Sequence, residues 1–311
     1  MSTDASLSGV WVPTLTPLRA DLSIDAERFV AHARWLLENG CHGVVLFGTT
    51  GEATSFATDE RSAMLDRAID AGLPAERLVV GTGCCALPDT VRLTRHALER
   101  GCFAVLALPP FYYKGVSDEG LFRSYAEIIE RIGDTRLQLY LYHFPRLSGV
   151  PITAGLIERL LRAYPDTVKG IKDSSGDWTS TSGFIERFPG LAVLPGAETL
   201  LRDALQAGGT GCITAMANAN PAAIRKTYDA CCSDDPEAPA LQSSITQIRE
   251  IIEVHSLVGA LKALISHYRQ DPDWRRVRPP LLSFPEAGIA ELAASLEAGG
   301  YVFPGSAPPS E

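Results

Sequence analysis

Short apolar runs alternate with longer amphipathic stretches along most of this chain, one pair per ~30 residues, and that rhythm confines it to folds made of repeated βα units. The runs fall at 10–15, 43–47, 78–81, 103–108, 137–142, 168–172, 192–194 and 211–214. They are rich in Val, Ile and Leu without clean alternation, as strands covered on both faces should be. Helical patterns lie between them, at 25–39, 59–71, 89–100, 119–131 and 154–163, with Asp25, Asp59 and Asp89 where N-caps are expected. Eight strands interleaved with helices favour a closed (β/α)8 barrel over residues 7–221. An open doubly wound sheet is the competitor. After Pro221 the strand signal stops, and 222–232, 240–256, 257–268 and 286–298 read as helices. The expectation is an α/β protein, a TIM barrel with a C-terminal helical region at 222–304 and a loose tail at 305–311.

Composition removes several classes of function. A chain of 311 residues, 46% of them hydrophobic, can bury one large core. Its 37 acidic residues against 28 basic give a net charge of −9, and no Lys/Arg-rich run offers a nucleic-acid partner a positive surface. The 7 cysteines are odd in number, include two adjacent pairs and show no CxxC spacing, so free thiols in a reducing cytosol are expected. No apolar signal core opens the chain and no apolar run reaches ~18 residues, so a soluble, cytoplasmic protein without a membrane partner is expected. The histidines show no HExxH or paired spacing, and no metal is expected. Residues 81–86, Gly-Thr-Gly-Cys-Cys-Ala, mimic part of a dinucleotide fingerprint. They stand in the third βα unit rather than the first, so neither NAD nor any other cofactor is expected.

Reacting groups in such a barrel sit at the C-terminal ends of the strands. Those ends carry Thr49 and Thr50 after the second strand, Tyr113 after the fourth, Tyr142 on the fifth and Lys172 on the sixth. Strand alternation puts Val168, Gly170 and Lys172 on one face. If that face is the lumen, Gly170 leaves space beneath Lys172, and burial disfavours the ammonium form. The free amine is what attacks a ketone. The plain alternative is a strand-end lysine snorkelling to solvent. Tyr142 lies one βα unit earlier, so its phenol could meet the amine and shuttle protons; alternatively it is only a strand-forming aromatic. Residues 48–52, Gly-Thr-Thr-Gly-Glu, follow a strand and precede a helix, and their N–H groups and hydroxyls could nest a carboxylate. The alternative is a tight turn with capping hydroxyls. His143 is expected to point away from Tyr142, and Cys212 to be a small core residue.

With Gly48 to Glu52, Pro110 to Tyr113, Tyr142 with Pro145, and Gly170 to Lys172 in this order, the sequence resembles the dihydrodipicolinate synthase / N-acetylneuraminate lyase family, from about Gly9 to Leu282. The resemblance implies a class I aldolase on a TIM barrel, commonly a homotetramer (a dimer of dimers). By motif position it implies Lys172 as the Schiff-base lysine, Tyr142 as the proton-handling phenol, and Gly48, Thr49 and Thr50 at the carboxylate of a 2-keto acid. Tyr113 would reach a neighbouring subunit's site, and Ile213 would supply a backbone carbonyl. Synthases of the family carry an arginine two residues after the proline; here Leu147 stands there and Arg146 comes one residue early. Residues 147–149, Leu-Ser-Gly, are closer to the sialic-acid lyase pattern, yet Glu198 and Thr199 replace that lyase's acidic pair, and Thr214 and Ala215 its glycine and serine. The leading expectation is a lyase that cleaves or forms a 2-keto-3-deoxy sugar acid or related hydroxy-keto acid, giving pyruvate and an aldehyde. Dihydrodipicolinate synthase (4-hydroxy-tetrahydrodipicolinate synthase) is the nearest alternative, followed by a dehydratase on the same lysine. A non-catalytic barrel that binds a small acid is the alternative of another class.

Overall fold

The computed structural model describes residues 6–304, so the tail expected at 305–311 lies outside the described residues. Eight parallel strands form the sheet: β1 Gly9–Pro13, β2 Gly43–Leu46, β3 Leu78–Gly81, β4 Ala104–Ala107, β5 Gln138–His143, β6 Val168–Asp173, β7 Ala192–Pro195 and β8 Gly211–Ile213. Each pairs with the next in sequence as far as β7, and β8 pairs with β1. The ring closes where Thr210, just before β8, donates its N–H to the Val193 carbonyl of β7 at 3.1 Å. Eight α-helices precede β8, α1 Ala26–Glu38, α2 Thr58–Asp70, α3 Leu87–Glu99, α4 Asp118–Ile132, α5 Pro145–Ser148, α6 Ala154–Ala163, α7 Trp178–Arg187 and α8 Leu201–Ala207, and all but the short α5, which borders the mouth, cover the outside. Beyond β8 run α9 Pro221–Cys232, α10 Ala238–Glu253, α11 Leu257–Arg269 and α12 Ile289–Ala298. This is the (β/α)8 barrel with C-terminal helices.

The strands are apolar on both faces because each face has its own core. Val10, Val44, Leu78, Val105, Leu141 and Ile171 pack outward against the helices. Trp11, Val45, Val79, Leu106, Tyr140 and Leu194 fill the lumen. Cys212 packs in the outer core, as a small hydrophobe.

Two of the expected N-caps are displaced. Asp25 caps α1, accepting the Arg28 N–H. Helix α2 starts one residue before Asp59, at Thr58, with Glu60 reaching back to the Ala57 N–H. Pro88 fits the first turn of α3, so that helix begins at Leu87 and leaves Asp89 inside it. Both aspartates still sit in first turns, where the helix dipole favours them.

The C-terminal helices are bolted to the strand ends through polar side chains. Asn218, after β8, accepts the Leu15 N–H at 3.1 Å and donates to the Pro13 carbonyl at 2.9 Å. Its oxygen also meets His32 Nε2 at 3.0 Å, while Arg269 of α11 contacts the other ring nitrogen at 3.1 Å. Burial drives the His32 pKa down to about 3, so the ring is neutral and bridges as both donor and acceptor. No helix among the described residues is long and apolar enough to cross a membrane.

Candidate active site

Backbone register builds the centre of the site. Tyr142 and Lys172 are directly paired residues of β5 and β6. Each is the last lumen-facing residue of its strand, and the Lys172 Nζ lies 3.3 Å from the Tyr142 hydroxyl and 4.4 Å from its ring centroid. Lys172 is 3% exposed. The snorkelling alternative is therefore not what the structure shows. Thr49, in the loop after β2, brings its hydroxyl to 3.2 Å from the same phenol. Tyr142 thus bridges an amine and a hydroxyl, which is a short path for a proton.

The strand alternation expected for β6 fails at one residue. The β5–β6 register shifts between Leu139 and Tyr140, and Val168 packs in the outer core with Ile171. A bulge inserts one residue, which flips the faces before it. Gly170 does not leave an empty space beneath Lys172. The Tyr140 ring fills it: a Cβ on Gly170 would stand 2.6 Å from that ring and 2.5 Å from the Ala192 carbonyl oxygen. The Tyr140 hydroxyl accepts the Leu7 N–H at 2.7 Å, closing the lumen floor, and burial pushes its pKa up to about 12.

The loop at 48–52 is held tightly. Gly51 has no room for a side chain, since a Cβ would lie 2.8 Å from the Thr14 carbonyl oxygen, and its own carbonyl accepts the Thr16 hydroxyl at 2.8 Å. The Glu52 N–H turns back to the Thr49 carbonyl at 3.0 Å. The N–H groups of Thr49, Thr50 and Gly51 find no acceptor among the described residues. Successive free N–H groups beside two hydroxyls make a concavity suited to an anion.

Two cavities meet at Tyr142. One of about 670 Å³ opens over Lys172 and is bordered by Thr50, Arg146, Ser174, Thr199, Arg249 and Ser256. The other, about 270 Å³, is mostly apolar, with Phe47, Leu106, Leu108, Phe111 and Phe144 in its wall. Leu147 belongs to both.

The remaining candidates divide. Gly48 lines the smaller cavity and Thr50 the larger. Arg146 also lines the larger cavity, exposed and with no side-chain partner among the described residues. Segment 145–148 is the short helix α5, not extended chain, so Arg146 and Leu147 are not forced to opposite sides. Glu198 stands behind the wall rather than in it. It is 0% exposed, accepts from the Thr214 hydroxyl, and lies 3.4 Å from the Arg249 guanidinium. Burial raises its pKa while Arg249 pulls it back. Ile213 ends β8 with its side chain in the lumen core, and Ala215, two residues on, is what reaches the cavity. Tyr113 is 72% exposed beside Tyr112 and borders neither cavity. His143 points outward as expected: its Nδ1 accepts the Ile152 N–H at 3.0 Å, and burial lowers its pKa against the opposing pull of Asp173.

Sequence reasoning misses Arg249, which α10 carries to the cavity, and Lys262 of α11, which binds Glu52. A signal for the second exists. Lys262 is the only charged residue between Leu257 and Ser266, and a lone lysine in an apolar helix calls for a buried partner.

The chain matches the dihydrodipicolinate synthetase family over residues 6–299. It is 34% identical to an uncharacterized DapA-like lyase of Chloroflexus aurantiacus, over 93% of this chain and 96% of the relative. Dihydrodipicolinate synthase from Agrobacterium tumefaciens superposes with a TM-score of 0.86 at 32% identity, over 94% of this chain and 99% of that one. YagE from E. coli K12, a prophage protein of the dihydrodipicolinic acid synthase family solved in complex with pyruvate, superposes with a TM-score of 0.86 at 25% identity, over 95% and 99%. Sequence and fold agree from one end of the barrel to the last helices, and this protein therefore belongs to the dihydrodipicolinate synthetase family, as a class I carbon–carbon lyase that works through a lysine Schiff base.

Proposed function

We propose that Lys172 is the Schiff-base lysine, and that the enzyme cleaves or reversibly forms a 2-keto-3-deoxy sugar acid or a related hydroxy-keto acid, releasing pyruvate and an aldehyde. The observation that carries this is the contact chain from Lys172 through Tyr142 to Thr49 at the floor of the larger, hydroxyl-rich cavity. The amine adds to the C2 carbonyl, and the Tyr142 phenol protonates the carbinolamine hydroxyl so that it leaves as water, giving an iminium and a phenolate. The C3–C4 bond then breaks with its electron pair drawn into the iminium, and the C4 hydroxyl proton passes to the Tyr142–Thr49 pair as the aldehyde forms. Protonation of the enamine at C3 and hydrolysis return pyruvate and the free amine. The substrate carboxylate is assigned to the free N–H groups and hydroxyls of Thr49 and Thr50, beside Gly48. That YagE was solved in complex with pyruvate supports a keto acid as the ligand.

Tyr113 is assigned to the site of a neighbouring copy in a homo-oligomer, a homotetramer by family resemblance. Its exposure and its distance from both cavities of its own chain support this. A second substrate reading, condensation of pyruvate with aspartate semialdehyde, is favoured by one observation: Arg146 borders the cavity and its guanidinium has no partner among the described residues.

Pyruvate with borohydride should inactivate the enzyme and add the reduced pyruvyl mass to Lys172, and Lys172→Ala should abolish the labelling. A label on Lys169 or Lys114, with activity surviving the substitution, would overturn the assignment. Pyruvate release from a panel of 2-keto-3-deoxy acids then identifies the substrate.

A further inference from the structure

The chemistry above leaves a fully buried lysine without a role. Lys262 of α11 is 0% exposed. Its ammonium donates to one carboxylate oxygen of Glu52 and, at 2.6 Å, to the Arg276 carbonyl. The other oxygen of Glu52 accepts the Arg278 N–H at 2.9 Å. Among the described residues, every partner of the Glu52 carboxylate therefore comes from the C-terminal region. Glu52 is also the last residue of the loop that carries Thr49 and Thr50. It holds a left-handed backbone at φ 59° and borders the larger cavity. Burial pushes the Lys262 pKa down and the Glu52 carboxylate pulls it back up.

Two consequences follow from this placement. The strained turn that exposes the N–H groups of Thr49, Thr50 and Gly51 is tethered at its far end by a side chain gripped from α11. In addition, an uncompensated carboxylate at Glu52 would border the cavity that receives the substrate carboxylate, and like charges repel strongly where water is scarce. We propose that Lys262 is a positioning residue for keto-acid binding: it holds the 48–52 loop in its anion-binding shape and cancels the Glu52 charge. The proposal rests on the assignment of Thr49 and Thr50 to the substrate carboxylate.

The test is the pyruvate dependence of borohydride labelling, measured on the full-length enzyme with circular dichroism as the fold control. Lys262→Met should raise the pyruvate concentration for half-maximal labelling about tenfold or more, the effect of one lost charged interaction. The limiting labelling rate should change less than threefold, because Lys172 and Tyr142 are untouched. Lys262→Arg, which keeps the charge, should recover part of the affinity. If Lys262→Met does not fold, the double variant Lys262→Met/Glu52→Gln removes the stranded charge and should fold. It should still bind pyruvate weakly, since the tether is gone. Native half-saturation in either folded variant overturns the proposal. Native enzyme that resists labelling altogether would overturn the keto-acid assignment, and this proposal with it.

Discussion

At the scale of single residues, the site turns on what each neighbour does to Lys172. The phenol of Tyr142 is the only hydroxyl in contact with the amine among the described residues, so proton transfer there should depend on it. Tyr142→Phe is expected to leave the barrel and keto-acid binding nearly intact while slowing turnover by ~10²–10⁴-fold, the usual contribution of a positioned acid/base. Steady-state kcat decides this; an unchanged value would reduce Tyr142 to a packing residue. The pairing of Tyr142 with Lys172 is legible in the sequence, because adjacent parallel strands set equivalent strand ends side by side. The face of Val168 is not legible, because a bulge depends on the partner strand and leaves no mark on alternation.

Among the elements, α5 is the one on which the proposed choice of aldehyde turns. Its single helical turn brings both Arg146 and Leu147 to the cavity, which an extended segment would forbid. Leu147 offers no donor to an anionic aldehyde. Arg146 does, yet it is exposed, and a screened ion pair is worth only about 0.2–1 kcal/mol. Aspartate semialdehyde should therefore be a poorer partner for the pyruvyl enamine than a neutral hydroxyaldehyde, by about tenfold or more in kcat/KM. Assays with both aldehydes check this. Efficient use of aspartate semialdehyde that is lost in Arg146→Ala would establish the synthase reading instead. The same lesson holds for Glu198. A position beside a strand end in sequence said nothing of Arg249, which comes from α10 and stands between that carboxylate and the cavity.

For the whole molecule, the prediction concerns assembly. Phe111 reaches a cavity of its own chain while Tyr112 and Tyr113 stand out at 74% and 72% exposure, an aromatic pair of the kind that interfaces bury. If Tyr113 completes a neighbour's site, activity per chain should fall on dilution as folded monomers appear in sedimentation or light scattering. Monomers with full activity would refute it. What the sequence alone determined is the barrel and the cluster of Lys172, Tyr142 and Thr49 at its mouth, because hydrophobic period and strand-end position are local properties that any βα repeat must obey, while the family is carried by the ordered motifs the chain shares with it. The tertiary structure alone decided that Tyr140 rather than empty space lies under Lys172. It also decided that Glu198 is buried behind Arg249, and that Lys262 of a distant helix grips Glu52 at the end of the 48–52 loop. Those contacts join residues up to 210 positions apart, and a buried charge finds its partner through packing that no local pattern encodes.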